Sequence, residues 1–141
     1  KLLGVWSFNH RAKKFGSNVS GHTVDAINFY RHWLGCNNER CIIAGDFNNS
    51  IIWDKRGNDN NFVNINYQLE NLGFTSNYHS LKKENFGEES SATLFHTKKE
   101  SKKYHIDYIY SKNLNPTQVK VGLYSDWIEF SDHTPIISVF K

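Results

Sequence analysis

The chain has 141 residues, of which 38% are hydrophobic, 15% aromatic and 22% charged, and its formal net charge is +3. This composition is typical of one globular domain and excludes an intrinsically disordered chain. No run of 18 apolar residues occurs, which excludes a membrane-spanning helix, and the mild positive charge is compatible with a polyanionic ligand without requiring one.

The first residues indicate that the chain is a portion of a longer protein, and the cysteines indicate its redox compartment. No methionine occurs, and the sequence opens directly on an apolar run, so we expect residues 1–141 to be a portion of a longer protein. The two cysteines, Cys36 and Cys41, match neither a redox nor a zinc-binding spacing. They predict free thiols in a reducing, cytoplasmic compartment.

The first third of the chain predicts a strand–helix–strand crossover unit. Residues 2–8 are apolar on both sides and predict a strand, followed by a polar loop at 9–20. Apolar residues recur at helical spacing over residues 23–34, and Gly35 is a suitable residue to end that helix. The apolar run that begins at Cys41 predicts the next strand.

The rest of the chain predicts one further helix and then several strands. The helix covers residues 62–72 and ends before Gly73, after a loop at 49–61. A charged stretch at 82–91 predicts a surface loop. The predicted strands or extended runs are 74–78, 92–97, 105–110, 118–123 and 136–140.

A carboxylate and a carboxamide follow the strand that begins at Cys41. Asp46 and Asn48 would point to the same side of an extended chain. Asp46 can accept a proton or hold a cation, and Asn48 can hold a ligand oxygen. Gly45 permits the close approach of a ligand or of a neighbouring backbone. The same residues also fit a strand end followed by an Asx turn without any function.

Two later stretches carry similar chemistry. Asp107 interrupts an otherwise apolar strand, where a buried carboxylate is costly unless it is paired. Asp132 and His133 precede the final strand and offer a metal ligand beside a proton carrier. Each stretch alone also fits a solvated pair or a turn cap, whereas Gly-Asp-x-Asn, His-x-Asp-Tyr-Ile and Ser-Asp-His-x-Pro in this order are more specific.

This ordered set, from Gly45 to Pro135, resembles the endonuclease/exonuclease/phosphatase family, which includes DNase I, exonuclease III, apurinic endonucleases and sphingomyelinases. The resemblance implies an α/β (α+β) fold, a sandwich of mixed β-sheets flanked by helices. Residues 1–141 would be the C-terminal portion of a single, N-terminally truncated domain. The implied reaction is hydrolysis of phosphoric esters with Mg²⁺ or Mn²⁺ as cofactor.

The resemblance also implies a role for each motif residue. Asp46 would orient or deprotonate the attacking water and bind the metal with Asp132, and Asn48 would position the water or a phosphate oxygen. His133 would contact the scissile phosphate. Asp107 would hold the His133 imidazole in one tautomer, since a carboxylate partner fixes a histidine and raises its basicity. We therefore expect these five residues to converge, with a hydrogen bond between Asp107 and His133.

Other residues are candidates for substrate contacts. Trp6 and Asn9 resemble an aromatic residue and a phosphate-contacting Asn near the first strand of several family members, although Trp6 could equally pack in the core. Four ring-bearing residues in predicted loops either line a pocket or stack on a base, or they pack under the loops; they are Trp53, Tyr78, His79 and Trp127. The lysines either meet phosphates or form a solvated turn; they are Lys98, Lys99, Lys102 and Lys103.

The chain departs from the family pattern at its start. Family members supply an Asn and a principal metal-binding Glu from elements that would precede Trp6. We therefore expect weak metal binding and little turnover from residues 1–141 alone, and activity from a longer protein. Exposed apolar surface on an incomplete domain would favour dimerisation or a swapped arrangement.

Three functions remain open from the sequence. The first is a nuclease that cleaves phosphodiester bonds in DNA or RNA. The second is a phosphodiesterase for a small-molecule or lipid phosphoester, because a DNA-binding groove usually contains more arginine than the four residues Arg11, Arg31, Arg40 and Arg56. The third is a non-catalytic binding module that retains the fold.

Overall fold

A four-stranded sheet forms the centre of the structure, a computed structural model that describes residues 1–7, 23–36, 38–57 and 60–141. The strands are β1 (Leu2–Trp6), β2 (Cys41–Asp46), β3 (Thr75–Ser76), β4 (Leu94–Phe95), β5 (Lys103–Tyr104), β6 (Asp107–Lys112), β7 (Pro116–Val121) and β8 (Ile136–Phe140). The α-helices are α1 (Thr23–Phe29), α2 (Arg31–Leu34), α3 (Phe62–Asn71), α4 (Asn77–Lys82) and α5 (Tyr124–Trp127), and 3₁₀ turns lie at Ile51–Trp53 and His96–Lys98.

The central sheet has the strand order β1-β2-β6-β3, and two-stranded sheets are formed by β4-β5 and β7-β8. β1 and β2 are parallel, because the segment containing α1 and α2 returns the chain to the same end of the sheet. This confirms the predicted crossover unit. β6 is antiparallel to both β2 and β3. The fold is therefore mixed α+β with several sheets and helices, as predicted.

One face of the central sheet packs against α1 and α3. Alternate residues of a strand point to opposite faces, so Cys41 and Ile43 enter the core while Asp46 points away from it. Burial of each large apolar side chain contributes about 1.5–3 kcal/mol. The remaining buried core residues are Val24, Ile27, Leu34, Phe47, Phe62, Ile65, Leu69, Phe74, Tyr108 and Tyr110.

The other face of the sheet is partly covered by α4 and the β7-β8 sheet. Asn77, which is fully buried at the start of α4, accepts a hydrogen bond from Ser111 Oγ of β6 at 2.6 Å and donates one to Ser138 Oγ of β8 at 3.1 Å. One carboxamide thus satisfies polar groups from two sheets. The second layer is held at the β6 side of the sheet, near the carboxyl end of that strand.

β1 and β2 approach each other closely at Gly45. This residue has a φ of +140°, and a Cβ atom there would lie 2.0 Å from the carbonyl oxygen of Val5. A larger residue would therefore force the two strands apart. The predicted close approach of a neighbouring backbone is confirmed, and it occurs immediately before Asp46.

The helices differ from the prediction in three places. The predicted helix at 23–34 is interrupted at Tyr30, and Gly35 has a right-handed φ of −75° rather than a left-handed stop. Residues 77–82 form α4, which the sequence did not predict, and α5 was also missed. By contrast, Gly73 follows the end of α3 with a φ of +85°, as predicted.

Several predicted strands are shorter than expected. Only Thr75–Ser76 of the run at 74–78 and Leu94–Phe95 of the run at 92–97 are extended strands. β6 begins at Asp107 rather than at His105, because residues 105 and 106 make the turn from β5. Both cysteines are free, as predicted. Within the described residues, none of the helices has the length and apolar character needed to cross a membrane.

Candidate active site

The candidate site begins where β2 ends and β6 starts. Asp46 and Asp107 are direct partners in the antiparallel pair, on the face that points away from the α1–α3 core. Residues directly opposite each other have Cβ atoms about 4.5–5.5 Å apart, and like charges at that distance destabilise the sheet. Two facing carboxylates therefore need compensation from other groups.

His133 supplies part of that compensation. Its Nδ1 atom lies 2.9 Å from Oδ2 of Asp107, so the predicted hydrogen bond is present. The backbone places the ring, because His133 pairs with Leu94 in a β-bridge and its N–H donates to Ser131 Oγ at 3.0 Å. A carboxylate at Nδ1 fixes the proton on that nitrogen. Nε2 has no hydrogen-bond partner in the described part of the chain and is the nitrogen left to meet a ligand.

Asp46 and Asn48 form a tight turn beyond β2. The Asn48 backbone N–H donates to Asp46 Oδ1 at 2.7 Å, and its side-chain Nδ2 donates to Oδ2 at 3.2 Å. Asn48 has a left-handed φ of 47°, which Asn tolerates better than most residues. The Asx turn of the simpler interpretation is therefore present, and it holds both side chains beside the Asp107–His133 pair.

The ionisable groups of the site perturb one another. Burial raises the pKa of Asp46 and the charge of Asp107 raises it further, while the Asn48 N–H acts in the opposite direction. The hydrogen bond to Asp107 raises the pKa of His133 above its ordinary value of 6.5, against the effect of burial. The charge of Asp132 raises the pKa of both Asp46 and His133. The structure thus brings the five motif residues together as predicted, while their catalytic roles stay predictions.

Trp6 lies beside this cluster. It is the β1 partner of Asp46 and is 73% exposed, so the interpretation that it packs in the core is wrong. It shares the sheet face of Asp46, where its ring could meet a substrate. Asn9 lies outside the described residues.

The other aromatic candidates have different environments. Tyr78 is fully buried on α4, where its hydroxyl donates to Glu84 Oε2 at 2.7 Å. Trp53 packs on Tyr104 with ring centroids 5.0 Å apart, and Trp127 on α5 is 41% exposed. Tyr78 therefore serves packing, whereas Trp53 and Trp127 retain exposed surface.

Thr93 is a positioning residue that the sequence did not reveal. Its Oγ1 accepts hydrogen bonds from the N–H groups of Ile106 and Asp107, both at 3.0 Å. Its carbonyl oxygen accepts the Thr134 N–H at 2.8 Å. This fully buried threonine therefore links the start of β6 to the residue after His133. A single Thr within a predicted strand carries no spacing signal that could have identified it.

Ser7 has a similar role on the other side of the site. Its N–H donates to the Asp46 carbonyl oxygen at 3.0 Å, and its hydroxyl donates to the Phe47 carbonyl oxygen. The side chain is buried against the end of β2. Ser7 thus fixes the backbone from which Asp46 projects, although nothing in its sequence context distinguished it from a strand terminus.

The carboxylates of the candidate site determine whether it could bind a divalent cation. Within the described residues no group of three or more His, Cys, Asp or Glu side chains is arranged to hold a metal. Mg²⁺, however, commonly uses one or two protein carboxylates and several waters. Asp46 and Asp132 offer such hard oxygen ligands, and burial, followed by the charges of Asp107 and Asp132, raises the pKa of Asp46. Three carboxylates beside one imidazole give the site an excess of negative charge, and this excess favours the binding of a divalent cation.

Comparisons with known proteins agree with this fold. No protein-family model matches the chain, and no curated protein sequence matches it. Among solved structures, it is similar to an endonuclease/exonuclease/phosphatase family protein from Leptotrichia buccalis C-1013-b, with 18% sequence identity and a TM-score of 0.53. The match covers 89% of this chain and 43% of that chain, so the chain spans less than half of the neighbour's length. At this identity the likeness shows a structural relationship in fold to that protein.

Proposed function

We propose that this chain contributes the site of a divalent-metal-dependent phosphoric ester hydrolase, a nuclease that cleaves phosphodiester bonds in DNA or RNA. The observation that carries the proposal is the 2.9 Å contact between His133 Nδ1 and Asp107 Oδ2 beside Asp46. The related fold of an endonuclease/exonuclease/phosphatase family protein supports a hydrolase-like fold at a coarser level.

His133 contacts the phosphate in this proposal. Asp107 keeps one proton on Nδ1 and directs Nε2 toward the ligand. Because the raised pKa keeps the imidazole protonated to a higher pH than a free histidine, Nε2–H can donate to a phosphate oxygen as charge develops on it.

Asp46 acts on the attacking water. Its raised pKa makes the carboxylate a better proton acceptor at neutral pH than an ordinary aspartate. Asn48 uses its Nδ2 group on Asp46, which leaves the carboxamide oxygen to accept a hydrogen bond from the water. The Asx turn therefore holds the base and the water-positioning group in one fixed arrangement.

Asp46 and Asp132 would hold Mg²⁺ or Mn²⁺. Such an ion neutralises charge on the phosphate and acts as a Lewis acid. Three carboxylates around an anionic phosphate are unfavourable on their own, since like unit charges about 4 Å apart repel by roughly 4 kcal/mol at an effective dielectric constant of 20. Trp6, opposite Asp46, and Asn9 complete the proposal as substrate contacts.

The test is a hydrolysis assay on plasmid, abasic duplex, RNA and a generic aryl phosphodiester. It is run on residues 1–141 and on any longer encoded protein that contains them, each with Mg²⁺ or Mn²⁺ and with chelator. We expect chelator-sensitive cleavage by the encoded protein and much slower cleavage by residues 1–141. Hydrolysis of the aryl ester alone would indicate a small-molecule or lipid phosphoester, and no hydrolysis of any ester would favour a binding module.

A further inference from the structure

A basic hairpin leaves the site next to His133. This lysine hairpin comprises residues 94–104, with β4 and β5 as its two strands. It contains four lysines against the single acid Glu100, and all four are exposed; they are Lys98, Lys99, Lys102 and Lys103. In the described part of the chain none of the four forms an ion pair with a carboxylate. No carboxylate among the described residues therefore neutralises their charge.

The base of the lysine hairpin is attached to the catalytic segment. Leu94 pairs with His133 in a β-bridge, and the Phe95 N–H donates to the Asp132 carbonyl oxygen at 2.7 Å. Lys99 lies five residues after Leu94, so it is at most about 18 Å away along the chain. The lysines thus lie within reach of groups that flank a phosphate bound at His133.

The tip of the lysine hairpin has a defined conformation. Thr97 and Lys98 have left-handed φ values of 58° and 57°, which cost on the order of 1–3 kcal/mol each for residues other than Gly. Contacts hold this conformation, because Lys98 Nζ donates to the Glu129 carbonyl oxygen at 3.0 Å and Tyr124 donates its hydroxyl to the Lys98 carbonyl oxygen at 3.0 Å. The hairpin is therefore a positioned element rather than a loose loop.

An exposed aromatic residue lies in the segment that joins a contact of the lysine hairpin to the site. Phe130 is 80% exposed, directly after the residue whose carbonyl holds Lys98 and two residues before Asp132. A ring in that position offers a flat apolar face, which is the feature that stacks on nucleobases. Cationic side chains and a stacking ring together match the two chemical parts of a nucleic acid strand.

We propose that the lysine hairpin and Phe130 bind a single-stranded segment of nucleic acid next to the cleaved phosphodiester. Lys99 and Lys102 contact flanking phosphates, and Phe130 stacks on an unpaired base. This inference rests on the proposed nuclease function and names its substrate class. Base faces inside a duplex are covered by their neighbours, which favours single-stranded substrate.

The test measures the binding of a fluorescent single-stranded oligonucleotide of about 12 nucleotides to the encoded protein, in chelator to prevent cleavage. The Lys99→Ala/Lys102→Ala variant should bind more weakly. The negative slope of the logarithm of the association constant against the logarithm of the salt concentration should become shallower by about 0.7 per lost phosphate contact. The matched control is Lys82→Ala/Lys141→Ala, which removes two other exposed lysines and should leave the slope unchanged. An equal loss in both variants would overturn the proposal.

Phe130→Ala tests the stacking contact. It should weaken binding of the single strand by about 5- to 150-fold and leave binding of a blunt duplex unchanged. Tyr67→Ala is the control, because Tyr67 is also an exposed aromatic residue but lies on α3, on the opposite face of the central sheet from the site. Equal affinity of the Phe130→Ala and wild-type proteins for the single strand would contradict the stacking role.

The two proposals fail in different ways. If the aryl phosphodiester is hydrolysed with Mg²⁺ but oligonucleotide binding does not depend on the lysine hairpin, the binding inference is wrong and the hydrolase proposal stands. If binding depends on the hairpin but no phosphoester is hydrolysed, the binding surface is supported and the catalytic proposal is wrong.

Discussion

Two histidine–carboxylate pairs occur among the residues that the structure describes, and they differ in what surrounds them. His133 Nδ1 lies 2.9 Å from Asp107 Oδ2, with side chains 33% and 15% exposed. His79 Nε2 lies 3.1 Å from Glu89 Oε1, with side chains 8% and 5% exposed. The two distances are nearly the same, so distance alone does not separate a catalytic pair from a structural one.

The two pairs differ in whether the second ring nitrogen of the histidine also has a hydrogen-bond partner. His79 uses both nitrogens, because Nδ1 also contacts Ser76 Oγ at 2.8 Å. Glu89 Oε1 also accepts the Gly87 N–H at 3.0 Å. His133 retains Nε2 for a ligand, as described above, and borders two further carboxylates. A saturated, buried pair stabilises the fold, whereas an unsaturated, half-exposed pair can act on a substrate.

The largest expected effect is on activity. His133→Asn should reduce hydrolysis of an aryl phosphodiester by the encoded protein about 10²- to 10⁴-fold, since it removes the proton-carrying group from the phosphate. His79→Asn should leave the rate per folded molecule unchanged. Initial rates with Mg²⁺, corrected for the folded fraction by circular dichroism, give the comparison. Similar losses in the two variants would show that the pairs are not functionally distinct.

His79→Ala should instead reduce stability. Loss of one partner leaves the buried Glu89 carboxylate without its imidazole, which destabilises proteins by about 3–5 kcal/mol. His133→Ala should cost less than about 1 kcal/mol, because the site is partly solvated. Urea unfolding of both variants measures this difference. A larger loss for His133→Ala would reverse the assignment of structural and catalytic pairs.

Asp107→Asn should sharpen the comparison within the site. The carboxamide keeps an oxygen near His133 Nδ1 but removes the charge, so the pKa of His133 should fall toward its ordinary value. The rate should fall about 10- to 100-fold, as for other groups that orient a functional histidine. NMR titration of His133 in metal-free protein measures the pKa change. An unchanged titration would mean that Asp107 does not control the imidazole.

The smallest expected effect is a pH dependence of the free energy of unfolding, caused by the His79–Glu89 pair. Burial alone would raise the pKa of Glu89, but hydrogen bonds from His79 and the Gly87 N–H outweigh it and lower the pKa below the ordinary 4.5. The ionised carboxylate therefore adds stability that is fully present above pH 4.5 and is lost as the pH falls through the lower folded-state pKa.

Glu89→Gln should remove that acid-sensitive contribution. The variant should lose less stability than wild type between about pH 5 and pH 3, as measured by urea unfolding at each pH. Glu88→Gln is the control, because Glu88 is an exposed neighbour. A Glu89→Gln variant with the same acid sensitivity as wild type would exclude Glu89 as its source.

The contrast between the two histidine–carboxylate pairs also explains which residues of the site could be predicted from the sequence. Asp107 stood out because a carboxylate in an apolar run requires a partner, and the family resemblance implied that this partner is His133, which the structure confirms. No such argument was available for His79, which directly follows the predicted extended run at 74–78 and lies in the short helix α4. Thr93 was hidden for a related reason, since its importance depends on backbone groups brought together only by the fold.

The close approach at Gly45 has a consequence for the fidelity of folding. Because a Cβ atom at position 45 would not fit against Val5, only glycine can take this position in the observed alignment of β1 with β2. A shift of β2 by one residue would bring Ala44 or Asp46 opposite Val5 and would turn Asp46 toward the hydrophobic core. Gly45 thus favours the observed register, and Gly45→Ala should lower the free energy of unfolding because it forces β1 and β2 apart.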